Sequence, residues 1–135
     1  MADINKVRDY FKNDRFVKEC NIEILSAEKG YCKCKMTVDE KLLNAMDTIH
    51  GGAIYTLADF TFAVAANCDG KATVTQNASI SYIKAARGEY LLAEAKLINK
   101  SRSTCVYEVE ITDDKGTVVA FATGNGYIKD IELNF

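Results

Sequence analysis

From residue 53 to residue 66 the chain places apolar side chains on almost every helical face, with one charged residue, Asp59, among them. A helix that is apolar on every side belongs in the interior. The segment predicts a central helix from about Gly51 to Asn67, closed by the helix-stop chemistry of Cys68-Asp69-Gly70-Lys71. Elsewhere the period changes. Residues 31–38 alternate strictly, with Cys32, Cys34, Met36 and Val38 on one side and Tyr31, Lys33, Lys35 and Thr37 on the other, the signature of a half-buried strand. Residues 17–27 read as a strand with imperfect alternation, and Gly30 marks the turn between the two.

Four more strand patterns follow the helix, at 73–83, 89–99, 103–112 and 117–128. Asp113-Asp114-Lys115-Gly116 is a hairpin turn and Asn99–Ser103 a longer connection. Near the start, Ile4, Val7 and Phe11 share one stripe behind Asp3, predicting a short capped helix at about 3–13. Residues 39–50 form a polar loop. The pattern predicts an α+β fold in which an antiparallel sheet wraps around one long helix, with residues 1–135 forming a single domain.

Composition narrows the function. The chain has 135 residues, 48% of them apolar and 27% charged, enough for a substantial core without staples. Seventeen basic and nineteen acidic residues leave a net charge of −2, which argues against nucleic-acid or membrane-surface partners. An anionic ligand must then be held by a local basic cluster. The apolar stretch is too short to span a bilayer, and residues 1–6 lack a signal-peptide core, so a cytoplasmic location is expected. Five cysteines contain no C-x-x-C pair and only one histidine is present, so no metal site is expected and the thiols read as reduced and structural. A catalytic thiol such as Cys68 paired with His50 has no local motif to support it.

The helix opens with His50-Gly51-Gly52. A helix start leaves backbone N–H groups unpaired and carries positive dipole charge, and glycines let another group approach them. A carboxylate in apolar surroundings is costly unless paired or used. An anion-binding helix start and one poorly solvated carboxylate are the parts of an acyl-transfer site. Each part also has a plainer reading. Asp59 could bond a hydroxyl such as Thr56, His50 could cap the helix, and the glycines could simply permit close packing. Gly51 and Asp59 lie eight residues apart, roughly 12 Å along the axis, too far to meet one acyl carbon. Two antiparallel copies of the helix in a symmetric dimer bring Gly51 of one chain near Asp59 of the other. The chemistry therefore calls for a homodimer; pairing of such dimers into a dimer of dimers is a further expectation that this geometry does not itself require.

The run Asn44-Ala45-Met46-Asp47-Thr48-Ile49-His50-Gly51-Gly52, followed by Leu57-Ala58-Asp59, Ala65-Ala66-Asn67 and the strand Ile80-Ser81-Tyr82-Ile83, resembles the hotdog-fold acyl-CoA thioesterases of the phenylacetate-pathway, PaaI-like type. The similarity covers about residues 17–128. It implies hydrolysis of an acyl-CoA thioester, with Asp59 as nucleophile or general base and the Gly51 N–H as oxyanion donor. Asn44 and His50 would orient water or the thioester, and Thr75 matches a hydroxyl position near the carboxylate. Coenzyme A is part of the substrate and no other cofactor is implied. Gly52 is expected beside the substrate, and Lys84, Arg87, Lys100 and Arg102 at the phosphates of coenzyme A. Tyr55, Phe60 and Phe62 fit an acyl pocket and the core equally. A hotdog dehydratase or hydratase, and a non-catalytic acyl-CoA-binding protein, remain the competing functions.

Overall fold

In the computed structural model, which describes residues 2–135, six strands form one antiparallel sheet around a 17-residue helix, α3 (Gly51–Asn67). The chain begins with α1 (Ile4–Phe11), capped by the Asp3 carboxylate on Asn5 N–H, and α2 (Arg15–Glu19). Strands β1 (Ile22–Glu28) and β2 (Tyr31–Thr37) precede a turn of 3-10 helix at Glu40–Leu42 and α3. Then come β3 (Lys71–Tyr82), β4 (Tyr90–Lys100), β5 (Thr104–Asp113) and β6 (Val118–Glu132). The sheet order is β1-β2-β4-β5-β6-β3, so β3 lies at an edge beside the last strand. This is the hotdog arrangement.

The expected strand over 17–27 begins as helix: residues 17–19 belong to α2, and the strand starts only at Ile22. Asp14 accepts a hydrogen bond from Val17 N–H and starts α2, while Val17 and Cys20 point inward at helical spacing. Asn21, at φ 58°, turns the chain into β1. Imperfect alternation in this segment was thus a change of element. The other strands fall within a few residues of expectation, except that β6 runs on to Glu132.

Alternation on β2, β4 and β5 does what the pattern required. Cys32, Cys34 and Met36, then Leu91, Ala93 and Ala95, then Tyr107, Val109 and Ile111 are buried against α3. Phe62 projects from the helix into this layer, a burial that stabilises by about 2–3 kcal/mol. It reaches the sheet because β6 is side-chain-free beneath it: a Cβ at Gly124 would lie 3.0 Å from the Phe62 ring. Behind the helix, Phe60 meets Phe11 edge-on, Phe11 meets Tyr10, and Tyr10 meets Phe135.

At the helix end the Asn67 carboxamide works like a short piece of strand. It accepts from Thr73 N–H and donates to Thr73 C=O and Ala63 C=O, tying α3 to the start of β3. β3 then pairs with β6, and its register slips between Thr75 and Asn77.

α3 is not buried on every side. Gly52 and Tyr55 are exposed and Asp59 and Ala63 half-buried, a single stripe down the helix. The cause is the sheet order: β3 is the last strand on that side and nothing beyond it covers the flank. Among the described residues no helix is long and apolar enough to cross a membrane.

Candidate active site

The uncovered stripe carries the candidate groups. At its upper end, His50 is the N-cap of α3. Its Nδ1 accepts from Gly52 N–H at 2.8 Å, and its carbonyl accepts from both Ala53 N–H and Ile54 N–H. Every donor of the first turn is then occupied except one: among the described residues the Gly51 N–H has no hydrogen-bond partner. Of the two glycines, only Gly51 offers a free N–H. Gly52 serves the cap instead, since a Cβ there would sit 3.0 Å from His50 Nδ1. The capping reading of His50 is the one realised, and with Nδ1 as acceptor the neutral ring carries its proton on Nε2.

Asn44 organises the approach to the helix. Its Oδ1 accepts from Met46 N–H and Thr48 N–H and its Nδ2 donates to Thr48 Oγ1, closing a tight turn in which Asp47 adopts φ 58°. One Nδ2 hydrogen is left over for a ligand.

Two turns down the helix, Asp59 Oδ1 accepts from Thr75 Oγ1 on β3 at 3.0 Å. Thr56 is no partner of Asp59, for its hydroxyl donates to Gly52 C=O within the helix. Among the described residues Asp59 Oδ2 has no hydrogen-bond partner, and it borders a narrow crevice of about 10 Å³ walled by Tyr55, Phe62, Ala78, Val109 and Gly124. A carboxylate at the mouth of an apolar crevice, with one oxygen steadied and the other open, is placed for base or nucleophile chemistry. Tyr55 and Phe62 thus line the crevice. Phe60 points away into the aromatic stack with Phe11.

Tyr82, at the end of β3, was given no role from the sequence. Its hydroxyl donates to Gly51 C=O at 2.9 Å and its ring lies against Gly51. Burial, reinforced by neighbouring Tyr55, pushes the Tyr82 phenol above its ordinary range, so it remains a donor at neutral pH.

The basic residues divide. Lys84 and Arg87 follow β3 and share a cleft of about 260 Å³ with Lys115 of the β5–β6 hairpin, a lysine that the sequence pattern places in a turn. The cleft sits at the Gly51 end, because Ala86 C=O accepts from Ile49 N–H next to the cap. Its carboxylates are occupied by backbone: Asp113 accepts from Lys115 N–H and Thr117 N–H, and Asp114 from Glu89 N–H. Lys84, Arg87 and Lys115 form no ion pair among the described residues. Lys100 and Arg102 lie at the other end of α3, where Lys100 is paired with Asp69. Within one chain the structure does not bring them to Gly51.

Cys68 caps the far end of α3, about 25 Å from His50 along the axis. A Cys68–His50 pair is impossible within the chain, and burial pushes the Cys68 thiol up to about 11. All five cysteines are free and buried.

Comparison with known proteins gives the family. The family model of the thioesterase superfamily matches residues 46–120, more than half of the chain, a span that holds Gly51, Asp59, Thr75 and Tyr82. The chain belongs to the thioesterase superfamily. An Archaeoglobus fulgidus member is 40% identical over 126 residues, spanning 92% of this chain and 82% of its own. The acyl-coenzyme A thioesterase PaaI of Escherichia coli is 32% identical over 118 residues, spanning 87% and 84%. The solved structure of E. coli PaaI superposes with a TM-score of 0.90 at 28% identity, covering 96% of this chain and 95% of that one. A Streptococcus pneumoniae thioesterase structure with coenzyme A gives a TM-score of 0.83 at 28% identity, covering 91% and 99%. The chain is a PaaI-like hotdog thioesterase.

Proposed function

We propose that this chain hydrolyses acyl-CoA thioesters at a site shared between two copies of itself. The observation that carries the reading is the unpaired Gly51 N–H, the one donor left free at the start of α3. It belongs to the amide whose carbonyl, His50 C=O, already accepts two helix hydrogen bonds, which polarises that amide and strengthens its N–H as a donor. With the helix dipole behind it, this N–H stabilises the thioester oxygen as it becomes an oxyanion.

Asp59 supplies the attack. Thr75 holds Oδ1, and the free Oδ2 either takes a proton from water as it adds to the carbonyl carbon or adds to that carbon itself. Collapse of the tetrahedral species breaks the C–S bond and releases the coenzyme A thiolate, which takes its proton from Asp59 when water is the attacker and from solvent when Asp59 is. Where Asp59 has added directly, water then cleaves the resulting anhydride to return the carboxylate. No cofactor enters either route.

Gly51 and Asp59 are roughly 12 Å apart on one helix, so the partner's helix must supply one of them. The uncovered stripe of α3 and the unpaired edge of β3 on the same flank support a homodimer with antiparallel helices. In that arrangement the Gly51 end of one chain lies near the Lys100 end of the other. Lys84, Arg87 and Lys115 then hold the phosphates from one chain, with Arg102 contributed across the interface. The S. pneumoniae structure with coenzyme A and the name of E. coli PaaI support acyl-CoA as substrate.

The test is turnover of a panel of short, medium, long and aryl acyl-CoAs, following free thiol, in wild type and Asp59→Asn. Wild type should release coenzyme A, and the variant should lose about 100-fold or more in kcat with its fold intact. Equal turnover by the two would reject Asp59.

A further inference from the structure

The peptide unit that joins Gly51 to Gly52 is gripped at both ends. Its oxygen accepts the Tyr82 hydroxyl at 2.9 Å, and its nitrogen donates to His50 Nδ1 at 2.8 Å. The preceding peptide unit, between His50 and Gly51, is fixed through the two hydrogen bonds that His50 C=O accepts. Gly51 therefore sits between two immobilised peptide planes, and the direction of its own N–H is set by them.

Such a device answers a specific problem. Two successive glycines have the widest conformational freedom a backbone can have, and the first turn is where a helix frays. An oxyanion donor stabilises developing charge only if it is aimed beforehand. We propose, resting on the reading of Gly51 as oxyanion donor, that Tyr82 and His50 are positioning residues which clamp the Gly51–Gly52 peptide and so aim the Gly51 N–H. Neither acts on substrate through these contacts. The Tyr82 ring also covers one side of Gly51, since a Cβ there would lie 3.4 Å from its Cε1 and Cζ.

A purely structural role predicts something different. Tyr82 is 50% exposed, so water replaces its hydrogen bond at little cost to stability. The clamp predicts a small change in unfolding midpoint and a much larger one in turnover. Tyr82→Phe should lower kcat about 10-fold, with KM within about twofold and the midpoint within about 2 °C. His50 separates capping from chemistry. Asn is among the best N-caps, whereas Ala is not one. His50→Asn should therefore keep most of the activity that His50→Ala loses, although Asn has no imidazole to act as acid or base.

Asp59→Asn is assayed alongside. If wild type turns over acyl-CoA and Asp59→Asn does not, the functional reading stands. Tyr82→Phe within twofold of wild-type kcat, or His50→Asn as impaired as His50→Ala, then overturns the clamp alone. A readout independent of activity is the NMR relaxation of the Gly51 and Gly52 amides. Tyr82→Phe should make both visibly more mobile on the ps–ns scale, and unchanged order parameters would refute the clamp whatever the substrate proves to be.

Discussion

Thr75 Oγ1 holds Asp59 Oδ1 at 3.0 Å from the lip of a β-bulge. The bond leaves the carboxylate with one oxygen committed and one free, and it comes from the edge strand rather than from the helix that carries Asp59. The aim of the free oxygen depends on how β3 lies along α3.

Removing that hydroxyl should therefore weaken catalysis more than folding. Thr75→Val is expected to lower kcat about 10-fold, while Thr75→Ser keeps most of it. Steady-state thiol release, with thermal unfolding of each variant as control, checks this. Equal kcat in Val and Ser variants would show that Asp59 needs no such support.

Cross-subunit catalysis makes a sharper demand. Asp59→Ala and Gly51→Val homodimers should each be nearly inactive, the first without its carboxylate and the second with its N–H screened by a branched side chain crowded against Tyr82. A mixed dimer places both lesions in one site and leaves the other intact, so up to half of wild-type activity per mixed dimer should return. Background activity in verified mixed dimers would place both groups in one chain.

The cleft of Lys84, Arg87 and Lys115 should act through the phosphates alone. Replacing all three by Ala is expected to raise KM for acyl-CoA about 10-fold with little change in kcat. The same acyl group on pantetheine, which lacks the phosphates, should be hydrolysed equally by variant and wild type. A comparable loss on both substrates would mean that the residues support the fold or the reacting centre.

Burial of the thiols sets an alkaline limit on stability. Cys68 is raised from 9.0 to about 11 by desolvation, with Cys20 and Cys105 raised by burial as well. A raised acid is more readily ionised once unfolded, so the stability held by the neutral Cys68 thiol is complete below pH 9 and lost as pH rises through about 11. Unfolding midpoints measured from pH 8 to 11 should fall less steeply in Cys68→Ala than in wild type. Parallel slopes would show that Cys68 does not contribute to the decline.

How far the sequence reveals this site depends on how local each feature is. α3 and β2 announce themselves through unbroken apolarity and strict alternation. Gly51 and Asp59 are singled out by one motif, and the proposed dimer rests on that motif and a helical rise. Segment 17–27 was misread because the deciding signal, Asp14 as a cap with Val17 and Cys20 at helical spacing, lies partly outside it. Tyr82 is hidden for a different reason. It stands seven residues after Thr75, which in a regular strand puts the two on opposite faces. The bulge around Gln76 reverses the parity, so that Thr75 reaches Asp59 and Tyr82 reaches Gly51 from one strand. Nothing in the local sequence marks that extra residue. Lys100 could not be placed either, since its partner Asp69 belongs to a distant loop.

The sheet order also has a consequence for how the protein is made. β3 leaves the ribosome directly after α3, yet its in-chain neighbour is β6, the last strand to be synthesised, so Thr75 pairs only when Gly126 has emerged. Until then Asp59 has nascent chain beside it and no finished sheet behind that chain. Closing so distant a pairing is slow and exposes a bare strand in the meantime. The flank that carries Asp59 and Thr75 is therefore completed only when β6 docks, later in synthesis than the other five strands.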